Sequence, residues 1–155
     1  MSVGFAPEEI ATGEPTRSAR LKWVVVVNDG IGPGLATNAA ICVASATARE
    51  VGGLAGPDGK DAGGAVHPGL PWAGCSVLRG SSEELRRLRE RAGGTDDVFV
   101  ADMPAAAQQT RVYDEYLEVL GATPAEEIEY YAVSVVGPRN RVAKLVKGLP
   151  LLGCP

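Results

Sequence analysis

Histidine occurs once in this chain, at His67, and cysteine three times, at Cys42, Cys75 and Cys154, with no C-x-x-C spacing. An odd number of thiols placed so forms no disulfide framework. One imidazole among scattered thiols supplies no tetrahedral metal set, so neither a metal nor any other cofactor is expected. Positive charge is also scarce: 15 Lys and Arg stand against 19 Asp and Glu, a net charge of −4 with a pI near 5.0. Nucleic-acid binding by bulk electrostatics needs several neutralised phosphates and is disfavoured, which leaves room only for a local basic patch. No stretch approaches the roughly 20 apolar residues that cross a bilayer. The first residues, with Glu8, Glu9 and Glu14, lack a basic start followed by an apolar run. No membrane partner and a cytoplasmic location are the expectations.

What the chain has is a stretch at 22–38, K-W-V-V-V-V-N-D-G-I-G-P-G-L-A-T-N. The run Val24, Val25, Val26, Val27 is β-branched throughout, loses little by being extended and can pack on both faces of a sheet, as a central strand does. Asn28, Asp29 and the glycine-proline loop 30–34 break the run, and Leu35 starts a helix of small residues. Polar groups and free amides then meet at a strand's carboxyl end, where open α/β sheets bind ligands. With 155 residues, 45% of them hydrophobic, the chain fits one domain with its own core.

Residues 1–20 have no apolar periodicity and are expected to form a disordered or loosely ordered tail, with a single α/β domain over 21–155. In the helix at about 34–50, Leu35, Ala39, Cys42, Val43 and Ala46 fall on one face, which reads Cys42 as core. The segment 51–74 is rich in Gly, Pro, Ala and Asp and is long for a loop, so it suggests a partly ordered excursion or a flap over the site. A short strand at 75–79 precedes S-S-E-E, a capping box starting at Ser81, whose helix turns Leu85, Leu88 and Ala92 inward. A third strand at 97–101 ends at Asp102. One helix is expected from about 104 to 120, with Gln109 on its apolar face, where an amide must be hydrogen-bonded or line a pocket. A fourth strand at 130–136, a Gly137-Pro138 turn, a last helix and an apolar return at 149–152 complete the chain. Strands alternating with helices imply a three-layer α/β/α domain on a mixed, mainly parallel four-stranded sheet.

The loop G-I-G-P-G is not a dinucleotide fingerprint, because the third glycine of G-x-G-x-x-G falls at Leu35, and no G-K-[ST] follows. Its amides can hold a phosphate or carboxylate, or its glycines can serve a tight turn. Asp29 and Asp102, each just past a strand, form a carboxylate pair if their strands are neighbours, or each caps the following helix. His67, in H-P-G, has no nucleophile nearby and reads first as a loop residue.

Three motifs together, K-W-V-V-V-V-N-D-G-I-G-P-G-L-A-T-N-A-A, D-G-K-D-A-G-G-A-V-H-P-G-L at 58–70 and V-V-G-P-R-N-R-V-A-K-L-V-K-G-L-P-L-L near the C-terminus, resemble a bacterial family. That family is catalogued as domain of unknown function two thousand, and the resemblance spans about residues 21 to 152. The family in turn is similar to peptidyl-tRNA hydrolase of the second type, which implies that hydrolase's α/β fold. The resemblance matches Asp102 and Asp29 to strand-end aspartates of the hydrolase and makes Thr110 a loose counterpart of its threonine. The hydrolase's catalytic lysine has no counterpart, since Pro33, Gly34 and Leu35 stand in its place. The function implied is hydrolysis or transfer of an acyl group from an aminoacyl-tRNA-like or other ester, with Asp102 and Asp29 as the catalytic pair. Asn28, Gly32, Gly34, Asn38, Gln109, Thr110 and His67 would bind the substrate. The alternative is a non-catalytic ligand-binding or assembly module that keeps the fold. A small-molecule or acyl-bearing ligand is the expected partner; tRNA is a weaker candidate, and a homodimer is left open.

Overall fold

The computed structural model describes residues 2–153. Two 3-10 turns, Pro7–Glu9 and Thr16–Ser18, lead into β1 (Leu21–Asn28) and α1 (Pro33–Glu50). A small hairpin follows, β2 (Gly59–Lys60) with β3 (Val66–His67), then β4 (Ser76–Gly80), α2 (Ser82–Gly93) and β5 (Phe99–Pro104). Two short helices, α3 (Ala105–Gln109) and α4 (Tyr113–Ala122), precede β6 (Tyr130–Pro138) and α5 (Arg139–Leu145).

The main sheet runs β4-β1-β6-β5. Only β1 and β4 are parallel; β6 is antiparallel to both β1 and β5. The sheet is therefore mixed but not mainly parallel as expected. A strand such as β6, buried on both faces, shows the same continuous apolar run in either direction, so periodicity carries no sign of its sense.

Alternation along β1 divides the core. Trp23, Val25 and Val27 pack beneath α1 against Ala36, Ala39 and Val43. Val24 and Val26, with Val133 and Val135 of β6, meet Leu85 and Leu88 of α2 and Val142 of α5. The α1 side also holds a buried polar knot: the Trp23 indole donates to Ser134 Oγ at 2.9 Å, and the Ser134 and Thr47 hydroxyls are 2.8 Å apart. Each buried polar atom in it is thus satisfied, as a core requires.

α1 is rotated from its expected face. It buries Ala36, Ala39, Val43 and Thr47, and leaves Leu35 and Cys42 exposed. Cys42 is accordingly not core. Thr47 is admitted because its hydroxyl donates to the Val43 carbonyl at 2.7 Å while meeting Ser134. α2 starts on the capping box that its sequence announces: Ser81 Oγ accepts from the Glu84 amide at 3.2 Å, and the Glu84 carboxylate accepts from the Ser81 amide at 2.8 Å.

Residues 2–20, read from sequence as a tail, are seated on the domain. Phe5 and Ala19 are buried, and the Phe5 ring packs 4.8 Å from that of Trp72. Arg20 binds the Glu9 carboxylate and the Gly4 carbonyl. Gly53 makes the close approach feasible: at φ +73° it occupies the left-handed region, and a Cβ there would meet the Phe5 carbonyl oxygen at 2.8 Å. Few apolar residues anchor this arm, which is why its composition alone suggested disorder.

The 51–74 segment is also ordered, with Leu54 buried and Trp72 donating to the Gly53 carbonyl at 2.8 Å. It packs with Phe5 and Leu21 beside the start of β1, the end opposite Asn28.

Candidate functional site

At the carboxyl end of β1 the buried polar side chain, Asn28, is consumed by the fold. Asn28 is 2% exposed; its amide donates to Ser82 Oγ at 2.9 Å and to the Tyr130 carbonyl at 3.0 Å, and its oxygen accepts from the Gly30 amide at 2.8 Å. It thereby ties together the end of β1, the start of β6 and the first residue of α2. Asp29 is exposed, its carboxylate 4.0 Å from Arg79. Gly32 and Gly34 are exposed at the start of α1, neither has positive φ, and a Cβ at either would touch nothing within 4 Å. The turn's own geometry therefore does not demand glycine at those two positions.

Asp29 and Asp102 do not form a pair. In register Asp102 lies level with Val133 of β6 and Val26 of β1, three residues short of Asp29 and two strands away. Strand spacing and rise put their Cα atoms on the order of 14 Å apart. Each carboxylate has its own arginine instead, Asp102 accepting from Arg89 Nε at 3.1 Å.

A wide opening lies toward the same end of the sheet but two strands away, at the β5 edge. A cleft of about 840 Å³ separates the outer face of α1 from the α3–α4 unit, with Asp102, Met103 and Pro104 as its floor. From α1 it receives Asn38, Ile41, Cys42, Ser45 and Arg49; from the opposite wall come Gln108, Thr110, Arg111, Val112, Tyr113 and Tyr116. Of the residues singled out from sequence, it gathers Asn38, Asp102 and Thr110. Asn28, Asp29, Gly32 and Gly34 do not line it, nor does any residue of 51–74, so the expected flap is not over this cleft. His67 sits on the exposed hairpin with Nε2 3.3 Å from Asp61.

The cleft exists because the expected single helix after β5 is broken. α3 ends at Thr110, whose hydroxyl turns back to the Ala106 carbonyl at 2.8 Å, and Val112 is extended before α4 resumes. β-branched residues at 110 and 112 tolerate this break better than a helix interior does. The break swings Gln108 into the cleft, while Gln109 is exposed and lines a smaller hollow with Val119 and Leu120. Gln109 therefore lines a hollow, one of the two situations expected for it, but that hollow is not the cleft. α4 itself has no buried residue.

The electrostatics of the cleft are mixed. Arg49 is paired with Glu50 at 2.8 Å, whereas Arg111 has no ion-pair partner among the described residues. The Tyr116 phenol is raised above its ordinary value by burial first and then by the Asp102 charge, so it keeps its proton at neutral pH. Asp102 supplies charge; Tyr116, Gln108 and Asn38 supply neutral polar groups; Ile41, 64% exposed, and Val112 supply an apolar wall. No residue here pairs a nucleophile with a base. Among the described residues no group of three or more His, Cys, Asp or Glu could hold a metal ion, and no helix is long and apolar enough to cross a membrane.

Sequence comparison matches residues 21–153 to the profile of a family described as protein of unknown function (DUF2000). No curated protein matches. Among solved structures the fold is similar, at a TM-score of 0.75, to a protein of unknown function from Agrobacterium tumefaciens strain C58. The two share 19% identity over 85% of this chain and 97% of the other.

Proposed function

The chain belongs to the DUF2000 family of proteins of unknown function, and from that premise we propose that it is a ligand-binding domain whose β5-edge cleft takes a small anionic molecule bearing an acyl chain. The observation that carries the reading is the division of the cleft: Arg111, which has no ion-pair partner among the described residues, stands near an exposed apolar wall of Ile41, Val112 and Tyr113. A carboxylate on a guanidinium gains charge-assisted hydrogen bonds, and a short acyl chain on that wall removes apolar surface from water.

Ester hydrolysis or transfer is the second reading, favoured by Asp102 on the cleft floor with Tyr116 beside it. Binding is preferred because the Asp102 carboxylate is taken by Arg89 and Pro33, Gly34 and Leu35 stand where a related hydrolase would carry its lysine. Isothermal titration with N-hexanoylglycine tests binding, and incubation with its methyl ester tests turnover. The expected result is saturable binding that Arg111→Ala weakens about 5- to 10-fold, the size of one solvated charge-assisted bond, with no ester cleavage above buffer. Cleavage abolished by Asp102→Asn would replace the binding reading with the hydrolytic one.

A further inference from the structure

Across the β5 edge from this cleft, against α2, lies a second cavity of about 560 Å³ that also borders Asp102. Two guanidinium groups reach it, each fixed through Nε: Arg86 on the Ile128 carbonyl at 3.2 Å and Arg89 on Asp102 at 3.1 Å. Among the described residues none of their terminal amino groups has an acceptor. Anchoring of this kind holds a donor fork in place before any ligand arrives.

Tyr130 supplies an independent sign. The residue is 5% exposed and lines the cavity, yet its hydroxyl has no hydrogen-bond partner among the described residues. No sealed side-chain polar atom among those residues lacks a partner, so the hydroxyl opens into the cavity. Burial, then the Asp102 charge, raise this phenol above its ordinary value while Arg89 and Arg86 pull it back. At neutral pH it is a donor. A side chain this buried whose hydroxyl is left open for an outside acceptor is uncommon in a finished core.

The remaining charges narrow the ligand. Glu90 and Glu126 stand exposed at the rim, neither in an ion pair among the described residues. With Asp102 they give three negative groups against two arginines, an unfavourable setting for a dianion such as phosphate. A single carboxylate carried with its own cation suits both signs. Leu120 and Ile128 add an apolar wall.

We infer that this cavity binds a free α-amino acid, its carboxylate received by Arg86, Arg89 and the Tyr130 hydroxyl and its ammonium facing Glu90 and Glu126. The site shares only Asp102 with the acyl cleft and takes its ligand on other residues, so the two readings are tested by different variants. Titration of the full chain with L-leucine, N-acetyl-L-leucine and L-leucine methyl ester tests it. Expected is saturable binding of L-leucine, with each blocked derivative weaker by about tenfold or more, the worth of a charge-assisted contact. Tyr130→Phe, which removes only the hydroxyl, should weaken L-leucine about fivefold, as one hydrogen bond does, and Arg86→Met by at least as much. Arg111→Ala should leave L-leucine untouched, and N-hexanoylglycine should not displace it. No binding at millimolar L-leucine overturns the inference. So does equal affinity in a folded Arg86→Met/Tyr130→Phe variant, or equal affinity for the N-acetylated ligand.

Discussion

The two edges of the sheet begin alike and end differently. Each edge strand is followed by a helix, and each lies near a carboxylate facing an arginine: Asp29 with Arg79 by β4, Asp102 with Arg89 by β5. At the β4 edge the C-terminal return closes the strand, the Arg79 amide donating to the Pro150 carbonyl and the Leu152 amide to the Val77 carbonyl, both at 3.0 Å. Asn28 seals the neighbouring rim with three hydrogen bonds. At the β5 edge the chain instead sends out α4, which buries no residue and leaves a cavity on either side of Asp102. Strand-end polarity thus marks a candidate site only where the following chain does not use it up.

That contrast can be broken most severely on the closed side. Asn28→Ala strands the Gly30 amide and the Tyr130 carbonyl and should cost about 2–4 kcal/mol, read as a lowered urea midpoint. A loss below about 1 kcal/mol would mean the rim is not sealed as described. Next, Gly53→Ala forces a Cβ onto Phe5 at a left-handed φ and should cost about 1–3 kcal/mol, with the loss concentrated in the N-terminal arm by hydrogen exchange. On the open side Asp102→Asn should change stability by no more than about 1 kcal/mol, because its ion pair is partly solvated, Arg89 being 40% exposed. A large loss there would make Asp102 a structural group.

The smallest effect is a pH response of the arm. The Arg20 side chain first, and then the Ala6 amide, hold Glu9 at about 2 against an ordinary 4.5. The carboxylate favours the folded arm fully above pH 4.5 and loses that effect as pH falls toward 2. Trp72 fluorescence should therefore shift between pH 4.5 and 2 in the wild type, and Glu9→Gln should flatten that shift.

Much of the architecture was legible in the sequence. The valine run of β1, the capping box of α2 and the apolar return each carry a local chemical signature that tertiary packing did not override, whereas Gly137 and Pro138, expected as a turn, continue β6 in register with Lys22 and Leu21 up to the start of α5. Three features carry none. Strand direction leaves no mark on a strand buried on both faces, so the sense of β6 was missed. The face of α1 was misread because it is built from Ala, Ser and Thr, whose similar sizes define no clear apolar stripe. That rotation is what delivers Ile41 and Cys42 to the cleft. The break between α3 and α4 has no Gly or Pro to announce it, and it decides that Gln108 rather than Gln109 faces the cleft. For Asp29 and Asp102 the sequence gives the strand ends but not the strand order, and β6 between them separates the two carboxylates.

The central claim, that binding belongs to the open β5 edge and not to the glycine loop, is tested most directly by mapping backbone amide shifts while N-hexanoylglycine is titrated into the labelled protein. The expected shifts cluster on the outer face of α1 from Asn38 to Arg49 and on residues 107–116. Saturable shifts centred on residues 30–35, with the α3–α4 unit unmoved, would contradict it.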